Sequence, residues 1–140
     1  LMGIGEKLKT FDPNIKLLAL EPDSMPLLST GKKIGNHKIE GIGDDFIPEL
    51  VHKELIDEII SINDIDAMMM SRKLASTFGL GVGISSGANF LAAVKSNKDN
   101  IVTVFADDSK KYLSTYLLNF DIINTSSIVN NIDLISIEVI

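Results

Sequence analysis

The sequence predicts an α/β fold in which helices flank part of a mostly parallel sheet. Helix-like and strand-like patterns alternate along the chain, which is typical of parallel α/β proteins. Residues 15–20 are almost continuously apolar, as in a strand covered on both faces. Residues 81–90 read as the end of a buried strand, a tight turn and the first turn of a helix. Because only about three strands are convincing and parallel sheets are usually larger, we expect the chain to belong to a bigger domain.

The first half of the chain is predicted to contain three helical segments and two strands. An amphipathic helix over 2–11 should stop at the turn signal Asp12-Pro13-Asn14. A polar, glycine-rich stretch follows from Thr30 and predicts a loop, in which paired glycines and apolar anchors are typical of a segment that lines a ligand. The remaining elements expected here are a strand over 15–20, a helical turn over 24–28, a short helix over 49–55 and a strand over 58–62.

The second half opens with a helix-start signal at residues 63–66, where Asp66 takes the place of the usual Glu of a capping box. The helix should run to about Phe78 and end at Gly79. Its methionines, residues 68–70, are interpreted as adaptable core packing. Further along, the sequence predicts a second helix from Ser85 and Ser86 as N-cap residues, a strand over 101–105, a short helix over 110–118 and a half-buried strand over 134–139.

Composition narrows the class of protein. The 140 residues are 45% hydrophobic and 23% charged, which indicates one globular domain. The net charge of −6 disfavours nucleic acid as a partner, because phosphate contacts need clustered Lys and Arg. No apolar run has the length of a membrane span, and residues 1–10 do not resemble a signal peptide. Cysteine is absent, and His37 and His52 lack carboxylates at ligand spacing, so we expect no metal site.

The glycine- and serine-rich turn at 81–90 carries the clearest chemistry. A helix start of this kind presents backbone N–H groups, two hydroxyls and the positive end of a helix dipole, so it suits an anion or a ring heteroatom. The pattern fits a helix start without any ligand equally well. Residues 106–109 follow the strand predicted over 101–105, at the end where parallel sheets collect ligands.

Several segments in a fixed order resemble the cysteine synthase (O-acetylserine sulfhydrylase) family, whose members use pyridoxal phosphate on a fold-type II scaffold. The resemblance runs from residue 1 to about 118, which we interpret as the C-terminal α/β portion of the large pyridoxal-phosphate domain. Residues 119–140 form a tail of unassigned role. The matching segments are Gly3-Ile4-Gly5-Glu6-Lys7-Leu8-Lys9, Leu20-Glu21-Pro22, His37-Lys38-Ile39-Glu40-Gly41-Ile42-Gly43 with Phe46-Ile47-Pro48, Gly83-Ile84-Ser85-Ser86-Gly87-Ala88, and Tyr112-Leu113-Ser114-Thr115.

The resemblance implies roles for particular residues. Ser85 would bond the pyridine nitrogen of the cofactor, and Asp108 would lie beside the cofactor with a charge that departs from the family's usual pattern. Gly41, Ile42 and Gly43 would line the mouth of the substrate site. In the family the Schiff-base lysine and the phosphate loop lie upstream of these segments, so the chain is expected to hold no catalytic residue and to be inactive alone.

The resemblance also implies an activity and partners. The expected reaction of the whole enzyme is replacement of the acetoxy group of O-acetylserine, a small-molecule substrate, by sulfide. The resemblance also implies a cytoplasmic homodimer with serine acetyltransferase as a protein partner. Glu40 and Asp45 are more similar to cystathionine β-synthases, which leaves that β-replacement open. A non-catalytic interaction domain that kept the fold is the third alternative.

Overall fold

The computed structural model describes residues 1–119, 121 and 126–138. Within them the α/β class is confirmed. The helices are α1 (Met2–Phe11), α2 (Leu27–Thr30), α3 (Asp64–Phe78) and α4 (Ile84–Ser96), and the strands are β1 (Leu18–Pro22) and β2 (Glu58–Ile62). Four short 3-10 turns complete the described elements: Lys53–Leu55, Ser109–Tyr112, Tyr116–Leu118 and Ile128–Asn131. No helix in this part of the chain is long and apolar enough to cross a membrane.

The two strands pair in parallel, with Leu18 opposite Glu58 and Pro22 opposite Ile62. Parallel strands end at the same edge of a sheet, so the loop after β1 and the start of α3 emerge side by side. The amide of Asp23 donates to the carbonyl of Ile62 at 3.0 Å and ties these two exits together. This edge therefore supports the long loop between β1 and β2.

Helix α3 begins and ends where the sequence predicted. The Asn63 side chain accepts from the amides of Ile65 at 3.0 Å and Asp66 at 3.4 Å, and Gly79 closes the helix at φ +71°. Met68 and Met70 are fully buried and Met69 is half-buried, which confirms the methionines as core. Helices α3 and α4 pack against each other and form, with β2, most of the hydrophobic core.

Two neighbouring cationic side chains of α3 donate hydrogen bonds to backbone carbonyls between residues 116 and 132. Arg72 donates to the carbonyls of Leu117 at 2.6 Å, Tyr116 at 3.0 Å and Asn119 at 2.7 Å. Lys73 donates to the carbonyls at positions 129 and 132. Because charged donors make the stronger class of hydrogen bond, the described part of the tail is fastened to the core helix.

The prediction of a strand over 101–105 is wrong, because these residues pair with no other strand among the described residues. The segment has no regular secondary structure, and Val102 is 96% exposed. Its one bond of note is from the Asn89 side chain to the Val104 carbonyl at 2.8 Å. An apolar, β-branched sequence favours extended backbone, but a strand exists only where a neighbour supplies the ladder.

Other predicted elements are shorter or shifted. The strand predicted over 15–20 is observed as β1, and the turn predicted over 24–28 as α2. The helix over 49–55 shrinks to Lys53–Leu55, since Leu50 is 79% exposed and offers no buried face. The helix over 110–118 splits into two 3-10 turns, because Thr115 caps the second at Leu117. Residues 134–138 form no strand, and residue 139 lies outside the described residues.

Candidate functional site

The turn into α4 is built from Gly83. Gly83 is the N-cap, and its carbonyl accepts from the amides of Ser86 at 3.1 Å and Gly87 at 3.2 Å. The prediction that Ser85 and Ser86 are N-cap residues is therefore wrong, since both lie inside the first turn. The amides of Ile84 and Ser85 have no acceptor within the helix. We call residues 83–86 the serine corner.

Neither hydroxyl of the serine corner has a hydrogen-bond partner among the described residues. Ser85 is 8% exposed, and its hydroxyl makes no hydrogen bond within the described part of the chain. Ser86 is fully buried, and its Oγ likewise finds no partner there. A buried hydroxyl without a partner costs free energy, and the Ser86 Oγ at this helix start is such an atom among the described residues.

Asp107 lies directly against the serine corner, and sequence reasoning did not single out its side chain. Its carbonyl accepts from the Gly83 amide at 3.1 Å. A Cβ at Gly83 would overlap Asp107 Oδ1 and lie 2.7 Å from the Tyr112 ring, so only glycine fits here. The signal that could have located Asp107 is its sequence position, five residues before the Tyr112 of the recognised segment.

Tyr112 fixes the Asp107 carboxylate. The buried phenol donates to Asp107 Oδ2, and Lys111 Nζ lies 3.6 Å from the same oxygen. The hydrogen bond to Asp107, together with burial, raises the pKa of Tyr112 to about 12. The phenol therefore stays protonated at neutral pH and keeps the carboxylate in place.

Asp108, the acid that the sequence selected, is placed differently from Asp107. Its backbone forms an antiparallel bridge with Val82, one residue before Gly83. Its side chain accepts from the Lys110 amide at 2.8 Å and is 56% exposed. The structure thus brings Asp108 to the edge of the serine corner through its backbone, while its carboxylate caps the next turn.

The predicted mouth loop, residues 41–43, is shaped by two glycines of positive φ, +88° at Gly41 and +69° at Gly43. Ile42 between them is half-buried and packs against the core. His37 Nε2 lies 2.7 Å from the Gly43 carbonyl. Positive φ is costly for residues other than glycine, so this loop shape depends on both glycines.

The chain just before the mouth loop lies beside the 3-10 turn at Tyr116–Leu118. The charge of Glu40, just before the mouth loop, makes a minor contribution to the raised pKa of Tyr112. Lys38 Nζ lies 4.4 Å from the centre of the Tyr116 ring.

An open depression of about 390 Å³ adjoins the mouth loop. Lys33 and Asp45 on its rim form an exposed ion pair at 2.6 Å, and the hydrogen bond from Lys33 lowers the pKa of Asp45. Asp45 is therefore a carboxylate at neutral pH. The lining residues are Met25, Lys33, Asn36, His37, Gly43, Asp44 and Asp45. Within the described residues no group of His, Asp and Glu is arranged to hold a metal ion.

Comparison with known proteins identifies a family. Residues 1–107 match the pyridoxal-phosphate dependent enzymes. A cysteine synthase of Staphylococcus aureus (strain N315) is 42% identical over 126 residues, which are 86% of this chain and 40% of the relative. The chain thus spans about 40% of the length of the curated relatives it matches.

Solved structures of related enzymes also match this chain. A hydrogen sulfide-producing enzyme from Fusobacterium nucleatum is 52% identical at a TM-score of 0.79, over 83% of this chain and 36% of that chain. A mutant of that enzyme aligns over 98% of this chain and 42% of that chain, with 47% identity and a TM-score of 0.89. An O-acetyl serine sulfhydrylase of Entamoeba histolytica is 35% identical at a TM-score of 0.79, over 92% of this chain and 39% of that chain.

Proposed function

Because the chain belongs to the family of pyridoxal-phosphate dependent enzymes, we propose that it is the C-terminal part of a cysteine synthase. The whole enzyme would exchange the acetate of O-acetylserine for sulfide and release cysteine. The observation that carries the proposal is the serine corner, whose two hydroxyls lack partners at the start of α4. The 42% identity to a cysteine synthase supports the same activity.

The residues of the serine corner fit the ring of the cofactor. Ser85 Oγ can donate to a pyridine nitrogen, and no described residue competes for its proton. When bound, pyridoxal phosphate supplies the electron sink for chemistry at the substrate α-carbon. A hydroxyl at the ring nitrogen leaves that nitrogen unprotonated, whereas a carboxylate would favour the protonated form. Ser85 therefore sets a weak electron sink, which suffices when the leaving group departs easily.

Asp108 and the mouth loop complete the proposed site. Through its backbone bridge to Val82, Asp108 stands next to the serine corner and would contact the cofactor from that side. Gly41, Ile42 and Gly43 would close over the amino-acid substrate. Small residues with positive φ allow the backbone N–H groups of such a loop to approach a ligand closely.

The family resemblance supports further parts of the proposal. These are a homodimer, a cytoplasmic location and serine acetyltransferase as a protein partner. Each concerns the whole enzyme and not this chain by itself.

A specific observation favours a second candidate function, the release of hydrogen sulfide from cysteine. The identity to the hydrogen sulfide-producing enzyme, 52%, exceeds that to the cysteine synthase, 42%. Both reactions pass sulfur between the solvent and the same β-carbon, so they need the same corner and differ in the leaving group. The cystathionine β-synthase alternative depends on Glu40 and Asp45, and Asp45 is engaged by Lys33.

We expect the whole enzyme to turn over O-acetylserine with sulfide faster than serine with homocysteine. Acetate leaves with little help, whereas the hydroxyl of serine needs an acid. The ion pair with Lys33 lowers the pKa of Asp45, so this carboxyl is a poor proton donor at neutral pH. The measurement is kcat/KM for both substrate pairs at one pH, with sulfide release from cysteine as a third assay. Faster turnover of serine with homocysteine promotes the cystathionine route, and dominant sulfide release promotes the second candidate.

The 140-residue chain mixed with pyridoxal phosphate should show no absorbance band near ~410 nm that survives dialysis, a wavelength set by the cofactor's imine chemistry. The reason is that the lysine of the family's Schiff-base motif does not occur in this sequence. Borohydride treatment followed by peptide mapping is the check. We propose that this chain contains the residue that bonds the ring nitrogen but lacks the lysine that binds the cofactor covalently. Labelling of one lysine at unit stoichiometry would contradict that proposal.

A further inference from the structure

Among the described residues His37 makes one hydrogen bond, and its partner belongs to the mouth loop. Its Nε2 lies 2.7 Å from the Gly43 carbonyl. A carbonyl oxygen can only accept, so Nε2 carries the proton and donates. A Cβ at Gly43 would lie 2.8 Å from the same nitrogen and 2.9 Å from Pro22 Cγ, so ring, loop and the end of β1 are in close contact.

The position of His37 is itself fixed by the core. The next residue, Lys38, donates its amide to Asp64 Oδ2 at 2.7 Å, at the first residue of α3. Ile39 follows and is fully buried. Burial raises the pKa of Asp64. His37 therefore projects from a rigid point onto a loop whose own shape is unusual.

The other ring nitrogen of His37, Nδ1, is buried and makes no hydrogen bond that would orient the ring among the described residues. The ring orientation is thus set by the bond to Gly43 and by packing alone. The Lys33–Asp45 ion pair lies just beyond the mouth loop. It is exposed, and exposed ion pairs contribute little to stability.

We propose that His37 is a positioning residue for substrate binding, which holds the mouth loop in its observed shape through the hydrogen bond from Nε2 to the Gly43 carbonyl. The inference rests on the proposed function, because it takes the loop over 41–43 as the substrate contact. His37 touches neither the substrate nor the cofactor in this account. Its loss should therefore weaken binding of the amino-acid substrate and leave the chemical step unchanged.

Two substitutions separate the hydrogen bond from the bulk of the ring. His37→Gln keeps an N–H donor at the ε position, whereas His37→Leu fills similar space without a donor. In the whole enzyme we expect His37→Leu to raise KM for O-acetylserine roughly 3- to 10-fold, the effect of one hydrogen bond. kcat should stay within about twofold of the parent, and His37→Gln should restore most of KM. Equal KM values for all three proteins, or a loss confined to kcat, would overturn the proposal.

A second measurement does not depend on the reaction. Hydrogen exchange of the holoenzyme, followed by mass spectrometry, should be faster across residues 40–47 in His37→Leu and unchanged in His37→Gln. Exchange across α3 is the internal control and should be the same in all three proteins. If the enzyme makes no cysteine but this pattern appears, the proposed function fails and the role of His37 stands. If loop exchange in His37→Leu equals that of the parent, the role of His37 fails whatever the activity.

Discussion

Replacing Gly87 with alanine should destabilise the chain by roughly 2–3 kcal/mol, because it forces two core helices apart. Gly87 lies in α4 where it crosses α3. A Cβ there would overlap the Ala67 carbonyl oxygen and lie 2.8 Å from the Ser71 backbone nitrogen. Both are backbone atoms of a helix and cannot rotate away. Alanine is favoured over glycine in a helix by about 1 kcal/mol, but overlap with a neighbouring backbone outweighs this gain.

A matched control lies in α1. Gly3 is also inside a helix, but a Cβ there would meet nothing within 4 Å. Gly3→Ala should therefore change stability by the helix preference alone, a gain of up to about 1 kcal/mol. The measurement is urea unfolding of both variants followed by circular dichroism. Equal midpoints for the two variants would show that α3 and α4 do not pack as closely as the structure has them.

The close crossing at Gly87 also bears on function. Gly87 follows the serine corner directly, and Ser71 of α3 donates to the Val82 carbonyl at 2.6 Å just before it. Helix α3 therefore contacts the chain on both sides of the serine corner. A corner held by backbone contacts of this kind needs little reorganisation to receive a ligand, which is the condition for strong electrostatic positioning.

Features set by local chemistry could be predicted from the sequence. The limits of α3 follow from Asn63 at its start and Gly79 at its end, and both act within one turn of the helix. Strand β2 was predicted as observed. The resemblance to a family was equally accessible, because it depends on short segments in a fixed order.

Features that depend on distant partners could not be predicted. Residues 101–105 have a strand-like sequence, but pairing requires a neighbouring strand, and the described residues provide none. Asp107 was missed for a similar reason, since its contact with Gly83 bridges residues 24 positions apart in the sequence. The N-cap was misplaced by two residues because serine is a good cap, and only the structure shows that Asp107 holds Gly83 there instead.

Replacing Ser85 is expected to affect the whole enzyme in two distinguishable ways. Ser85→Ala removes the only proposed donor to the ring nitrogen and leaves that nitrogen buried without a partner. The loss of one hydrogen bond is about 0.5–1.5 kcal/mol, and an unpaired buried acceptor adds about 1–3 kcal/mol. Cofactor affinity should therefore fall by between about one and three orders of magnitude, while urea unfolding of the protein without cofactor stays nearly unchanged. Ser76→Ala, at an exposed serine of α3, is the control and should alter neither quantity.

Ser85→Asp should retain the cofactor but slow turnover by about 100-fold, a typical cost of disturbing a preorganised electrostatic contact. The new carboxylate would favour a protonated ring nitrogen and so strengthen the electron sink. A protonated ring would retain the electrons more strongly and would return them more slowly to the bond that releases acetate, so turnover would fall. The measurement is single-turnover kinetics with O-acetylserine, together with a fluorescence titration of the cofactor for both variants. If the Ser85→Asp enzyme turns over O-acetylserine as fast as the parent, Ser85 does not face the ring nitrogen.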